Sequence, residues 1–422
     1  MRRTAILLAT VGIVTIVSGC GKHKTAAQNQ NAADLATQNA ILEKLLDAKS
    51  GDVITIPAGV YHFDSSISLT VDGVTVRGEG MDKTVLDFTG QTGGAEGFSV
   101  HASNFTIEDI GIINSKGDAL KVNEGQNIII RRVRADWTNG PSTQNGPYGL
   151  YPVQTKNLLV EDCYVRGASD AGIYVGQSQN IVVRHNRAVE NVAGIEIENS
   201  SYADVYDNEA TKNTGGILVF NMPNLPVPGH STRVFHNHSY SNNTANFGAR
   251  GTAVSSVPAG TGIIINANKQ VEIFDNDIGD NATGNIIIAS YFSTGFMNPT
   301  GVAAAYDPYP EAIYIYGNRF TNGGYSPDGV KLKTAKLALF GLTGNFPDVI
   351  FDGYIDPKLA VNGVLPPQAA ICVNNPPAEV LNADGPHDFK GAKIDTAAFK
   401  CDLPKMPPVI LTGPLAQGTP KA

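Results

Sequence analysis

Gly149, Gly172, Gly194 and Gly216 stand 23, 22 and 22 residues apart, and each opens a short string of alternating apolar residues. The strings are Gly149-Leu150-Tyr151-Pro152-Val153, Gly172-Ile173-Tyr174-Val175, Gly194-Ile195-Glu196-Ile197 and Gly216-Ile217-Leu218-Val219. Gly262-Ile263-Ile264-Ile265 follows 46 residues on, as one period with an insertion or as two coils with one degenerate. Asn285-Ile286-Ile287-Ile288 comes one period later, and Ala119-Leu120-Lys121-Val122 precedes the series with a longer loop. Two asparagine columns keep the same step. Asn186, Asn208, Asn237, Asn276 and Asn318 end strands, whereas Asn104, Asn127, Asn157 and Asn180 precede them. Asparagines stacked on parallel strands bond along the stack. A repeat of this length holds two or three short strands and cannot bury its apolar face alone, so it must stack on its neighbours. The expected fold is all-β, a single-stranded right-handed parallel β-helix, or solenoid. Leucine-rich repeats have similar periods, but their Leu-x-x-Leu-x-Leu pattern is missing.

Composition agrees with strands and turns: 45 glycines and 17% charged residues in a chain of 422. The formal charge is −8, and −10 once Arg2 and Arg3 are left out. That balance excludes general nucleic-acid binding. It also gives a polyanion no long-range attraction, so an acidic glycan would need a local basic group.

The start of the chain reads as an export signal. Arg2 and Arg3 precede an apolar run from Thr4 to Val17, and small residues lead to Cys20. The run falls short of the ~20 residues that span a bilayer. Val17-Ser18-Gly19-Cys20 resembles a bacterial lipobox. The resemblance implies cleavage before Cys20, lipidation of that residue and anchoring to a membrane of the cell envelope. Gly21 in place of Asp implies the outer membrane. The expected segments are a signal at 1–19, a flexible tether at 20–35, the β-helix with its N-terminal cap at 36–324 and an irregular Pro-rich cap at 325–422. The N-terminal cap is a short helix over Thr37–Lys49, followed by Gly51-Asp52-Val53-Ile54-Thr55-Ile56-Pro57-Ala58-Gly59-Val60-Tyr61. This pairing resembles the cap of pectate-lyase-like β-helices. Cys372 and Cys401 are candidates for a disulfide in an oxidising compartment. Cys163 lies in an alternating strand and reads as a buried filler.

Alternate residues of a strand face opposite sides. Leu120/Val122, Leu150/Pro152, Ile173/Val175, Ile195/Ile197 and Ile217/Val219 are the inward pairs. Lys121, Tyr151, Tyr174, Glu196 and Leu218 then form an outward row, with coils ~4.8 Å apart. Asn123 and Glu198 belong to the next outward column, and Asp118 and Asp170 stand just before their strands. Tyrosine rings stack on sugars, and a lysine holds a uronate carboxylate. Either side chain can also take the proton beside that carboxylate, the step that begins β-elimination and C5-epimerisation. The expected catalytic residues are Lys121, Tyr148, Tyr151 and Glu196. Asn123, Asp118, Asp170, Tyr174, Glu198 and Phe220 are expected to bind substrate, beside a Pro-rich loop at Met222–Gly229 that walls the groove. The same row also suits a merely solvated face. His230, His236 and His238 share a strand face only if that strand is regular, and read as surface histidines. No cofactor and no metal are expected.

Tyr148-Gly149-Leu150-Tyr151-Pro152, Gly167-Ala168-Ser169-Asp170-Ala171-Gly172-Ile173-Tyr174-Val175-Gly176-Gln177-Ser178 and Asn191-Val192-Ala193-Gly194-Ile195-Glu196-Ile197-Glu198-Asn199 resemble the exported parallel β-helix repeat-containing proteins of Gram-negative bacteria. That resemblance implies export, lipidation and, as a partner, a second exported protein of cytochrome-c type. It carries no activity. A more distant likeness is to mannuronan C5-epimerases, whose Tyr-Gly-Phe-Asp-Pro-His motif aligns with Tyr148–Val153. Tyr148 matches, but Tyr151 and Val153 replace the Asp and His. Lys121 and Asn123 fall where the epimerases place a Lys and an Asp. Valine neither gives nor takes a proton. Three functions follow as expectations: a lyase or epimerase on an acidic polysaccharide, a glycan-binding module, or a scaffold for the cytochrome-like partner.

Overall fold

The computed structural model describes residues 26–294, 306–413 and 415, with side chains from residue 35 onward. The signal, the lipobox and Cys20 lie outside the described residues. The chain enters through a helix at Ala26–Leu46, which begins within the stretch expected to be a tether and ends before Lys49. Its Ala- and Gln-rich first half is made of good helix formers. Ile41 and Leu45 are buried against the first coil and join the core.

Each full coil then contributes three strands. In one of them these are Ala171–Gly176, Gln179–Arg184 and Arg187–Val189. The first of each coil stacks into a 12-stranded sheet, here called the first face, and the other two merge into a 19-stranded sheet. Pairing is parallel and in register: Ile173 lies opposite Ile195, Val183 opposite Val205 and Ala188 opposite Ala210. Inward residues of all three strands form one continuous apolar core, mostly aliphatic with aromatic rings such as Phe98 and Phe105 in the first coils. The bend between second and third strands takes left-handed backbone at His185, Asp207, His236 and Asp275, with φ of 52 to 55°. Asn, Asp and His tolerate that region better than other side chains do.

The Asn that follows each bend turns inward and bonds up the stack. Asn186 donates to Asn208 (3.0 Å), Asn208 to Asn237 (2.9 Å), Asn237 to Asn276 (3.0 Å) and Asn276 to Asn318 (2.9 Å). The ladder runs on to Asn375. Asn127, Asn157 and Asn180 form a more exposed ladder from Asn104. A third, buried ladder joins Asn191, Asn213, Asn242 and Asn281.

The 46-residue step is a single coil. Gly215–Phe220 pairs directly with Thr261–Asn266, and His230–Phe235 and His238–Tyr240 complete the turn. Two insertions therefore leave this coil, at 221–229 and 241–260. The expected irregular cap after residue 324 is corrected: Val349–Phe351, Ile371–Asn374 and Val380–Asn382 continue the parallel stack. The long insert at 322–348, which includes a helix at Val330–Phe340, breaks the sequence period without breaking the ladder. An antiparallel pair, Leu381 opposite Ile394, covers the last strand edge. Cys372 and Cys401 are joined by a disulfide, and Cys163 is free and buried. The tail then runs back across the second strands, where Met406 bonds Glu272, Val409 bonds Asp204 and Thr412 bonds Asn157.

Removing one rung of the buried ladder leaves several orphaned donors, at about 1–3 kcal/mol each. Asn237→Ala is expected to cost at least about 3 kcal/mol in denaturant unfolding, and Asn180→Ala on the exposed ladder about 1 kcal/mol or less. Equal losses would contradict a structural role for the buried column.

Candidate functional site

The outward row on the first face is continuous. Ser99 lies opposite Lys121, and Lys121 opposite Tyr151. Tyr174 lies opposite Glu196, Glu196 opposite Leu218, and Leu218 opposite Ile264. Tyr148, Tyr151 and Tyr174 bridge the two halves, with ring centroids 4.4, 4.7 and 5.0 Å apart. The Lys121 ammonium sits 5.4 Å from the Tyr151 ring centre. The next column places Glu198 between Gly176 and Phe220.

The row is outward but only part of it meets solvent. Glu196 is 1% exposed and Tyr174 5%. The cause is a second apolar cluster built outside the coil. Ala171, Ala193, Leu218, Phe220 and Ile264 point outward and need cover, which Val254, Val257 and Phe247 of one insertion and Met222 of the other provide. The Pro-rich loop is tied down where Asn199 donates to the carbonyls of Met222 and Val227. Tyr306 donates to the carbonyl of Asn221 and closes the same side. Tyr148, Tyr151 and Lys121 remain partly open at the margin of this cover.

Beneath the rings lie four carboxyl groups. Tyr174 donates to Glu198 at 2.7 Å, and Gln177 donates to the Tyr174 oxygen at 3.1 Å. Tyr148 lies beside Asp170, and Glu196 beside Glu198. The second oxygen of Glu196 is buried without a hydrogen-bond partner among the described residues. Burial, then the nearby Glu198 charge, pushes Asp170 up to about 7. Burial pushes Asp118 up to about 7 as well, against the pull of Lys121. Glu196 is raised well above the carboxylate range by burial and then by its acidic neighbours, and burial raises Glu198 despite the hydrogen bond from Tyr174. The phenols follow. Burial and the surrounding carboxylates raise Tyr148 and Tyr174, and push Tyr151 up to about 12. These shifts favour the protonated phenols, which are then available as hydrogen-bond donors.

Of the expected residues, the structure gathers Lys121, Tyr148, Tyr151, Tyr174, Glu196, Glu198, Asp118 and Asp170 in one place. Lys121 is an ion-paired cation, 3.5 Å from Glu96 and 4.0 Å from Asp118. Phe220 is corrected from a binding residue to a buried member of the apolar cover, because it stacks between Glu198 and Asn266 beneath the insertions. Asn123 lies at the far edge, 3.4 Å from His101. Glu96, Gln177, Phe247 and Tyr306 are additions that the repeat did not reveal, since each lies in a degenerate strand, a turn or an insert. The three histidines are dispersed: His230 and His238 occupy different strands, and His236 stands at the bend beside Asp207 and Asp275. Among the described residues one carboxylate trio, Asp307, Glu311 and Asp356, offers oxygens within 4.8 Å of one another. The Lys269 ammonium already bonds Asp307 and Glu311 there.

Residues 58–229 match the family described as right handed beta helix region. No curated protein sequence matches the chain. Among solved structures, the A-module of the Azotobacter vinelandii mannuronan C-5 epimerase AlgE4 is similar at a TM-score of 0.50 and 18% identity, over 76% of this chain and 87% of that one. The A-module of the AlgE6 epimerase from the same organism gives 0.46 and 19%, over 75% and 85%. A mannuronic acid specific family 6 polysaccharide lyase from human gut microbiota gives 0.40 and 15%, over 68% and 73%. The AlgE4 likeness is one of fold, the right-handed β-helix expected from the repeat.

The buried acids make stability depend on pH. Asp118 and Asp170 titrate near 3.8 in an unfolded chain and near 7 in the folded one, so the folded state keeps protons that the unfolded state releases. Their contribution is fully present below about pH 4 and is lost as pH rises toward about 7. Denaturant midpoints are expected to fall between pH 5 and pH 8. Asp170→Asn and Glu196→Gln should reduce that fall and stabilise the protein at pH 8. A midpoint that rises over this interval would refute the assignment.

Proposed function

We propose that the partly open margin of the first face binds a glycan and acts on it by proton transfer, as a polysaccharide lyase or C5-epimerase of acidic chains. One observation carries the reading: Tyr151 and Lys121 stand beside two carboxyl groups, Asp118 and Asp170, whose affinity for protons is poised near neutrality. A general acid or base is most effective when its pKa lies near the working pH. The Tyr151 ring offers a sugar a stacking surface. Lys121, with the proton on Asp118, offsets the charge of a uronate. Asp170 in its ionised form takes the C5 proton, directly or through Tyr148 beside it. The electron pair left on carbon either expels the O4 leaving group, protonated by Asp118, or recaptures a proton on the opposite ring face. The first course is elimination and the second is epimerisation.

A second reading has its own support. Glu196 and Tyr174 are sealed from solvent, so half of the polar row cannot touch a sugar without movement of the insertions. On that reading the face holds a glycan and the deep carboxyls only shape it. Incubation with a panel of polyuronates in heavy water separates the two. Proton NMR is expected to show unsaturated chain ends or deuterium at C5, reduced at least about a hundredfold in Asp170→Asn, the scale of one lost acid–base group. Saturable binding with neither signal across the panel would leave the binding module.

We propose further that an acyl-modified Cys20 holds this face in the cell envelope, a reading supported by Arg2, Arg3 and the apolar run before Cys20. Among the described residues no helix is long and apolar enough to cross a membrane. Labelled palmitate is expected to enter the expressed chain and to be lost in Cys20→Ala, with the protein released to the soluble fraction. Incorporation that persists in that variant would overturn the anchor.

A further inference from the structure

Past the tyrosines the outward row turns aliphatic, through Leu218, Ile264, Ile287 and Ile350. The insertion at 241–260 covers its first members. The helix Val330–Phe340 covers the last, where Leu332, Ala335 and Phe340 pack toward Phe346, Ile350 and Leu381. This second cover is loose. None of the helix residues is buried, and Val330 and Leu342 are 81% and 86% exposed. Between helix and sheet lies a partly open cavity of about 500 Å³. Protein interiors seldom leave a void larger than a water molecule. Water gains little from such a space, because it needs two to four polar partners.

The lining states what would fill it. Leu332, Leu339, Phe346, Ile350, Leu381 and Phe389 supply carbon, and Lys331 is the one charged residue among the lining groups. Lys333 and Lys336 follow on the helix, and no acidic residue occurs from 329 to 347 in a chain of net charge −8. A sugar or a peptide would bring polar groups that this lining cannot pair, which is costly. A hydrocarbon brings none. A methylene takes about the room of a liquid water, roughly 30 Å³, so the space suits a chain on the order of sixteen carbons.

We propose that this cavity binds a single fatty-acyl chain whose anionic head meets Lys331. The site is separate from the tyrosine face and does not depend on its function. Either a free fatty acid or the acyl chain of a lipid supplies this chemistry.

The test is calorimetric titration of the full-length protein with palmitate, with hexadecyltrimethylammonium as the cationic counterpart. Lysophosphatidylglycerol, below its micellar range, is the lipid arm. One saturable site is expected for palmitate, lysophosphatidylglycerol or both, and the tighter of the two identifies the source. The cationic chain should bind at least about tenfold more weakly. Ala335→Trp, which fills the cavity, should abolish binding. Lys331→Glu changes an exposed residue and should weaken the anionic ligands about tenfold while sparing the fold, checked by its circular dichroism. Binding that neither substitution alters would place the ligand elsewhere and overturn the proposal. So would a lack of binding to either anionic chain, or association with anionic vesicles alone.

Discussion

Everything in this molecule depends on coils that stack in parallel without slipping. Backbone ladders alone would allow a shift by two residues, since that restores the in–out alternation. The buried asparagines remove that freedom. Asn208 donates to Asn237 and to the carbonyl of Val183, and its own oxygen accepts from the amide of Asn186. A slipped coil would leave each of these polar groups unpaired in a dry interior, where every one is costly. Register is thus held by penalty as much as by attraction. Once it is held, the outward positions of successive coils form straight columns, and a side chain's neighbours are set by the period.

This is why so much was legible in advance. Lys121, Tyr151, Tyr174 and Glu196 fall in one row because Leu150, Ile173 and Ile195 must face in, and the spacing of the glycines aligns the three. The Asn186 column could be read for the same reason. The ladder from Asn191 to Asn281 was harder to see, because its members sit in turns where no apolar pattern frames them. Burial was not legible either. Alternation distinguishes inward from outward, but whether an outward residue meets water is decided by the inserts at 221–229 and 241–260, which have no period. Phe220 and Glu196 point outward and are buried on that account. The last coils were hidden in the same way, since 27 inserted residues, 322–348, separate Thr321 from Val349.

The site itself follows from an unusual choice of outward residues. A β-helix face in water has no need to bury carboxyl groups, and ionised ones buried without a cation are strongly disfavoured. Here Glu196 lies under apolar cover, Asp170 and Glu198 are half-buried beside it, and Lys121 is the nearby ammonium, itself shared with Glu96 and Asp118. The cluster tolerates this by holding protons: Glu196 sits beside Glu198, Tyr174 donates to Glu198, and the Tyr148 phenol lies beside Asp170. Burial, and then the neighbouring carboxyls, favour the protonated form of the phenols. Acid and phenol therefore form a single proton-storing unit and not a set of separate groups.

The same cover that creates this unit also divides the face. Where the outward row carries Lys121 and Tyr151, the insertions stop and the face is partly open. Where it carries Leu218 and Ile264, the chain folds its own apolar residues over the strands. Where it carries Ile350, the covering helix packs incompletely. One row of positions, spaced by one ladder, thus passes from a polar margin through a sealed acid cluster to an aliphatic cavity. Chemistry along the solenoid is graded by which residue occupies a single repeated position, and access to it is graded by inserts that the repeat does not encode. Substitutions on the row should accordingly change what the face can do, whereas changes in the inserts should change which part of it a ligand can reach.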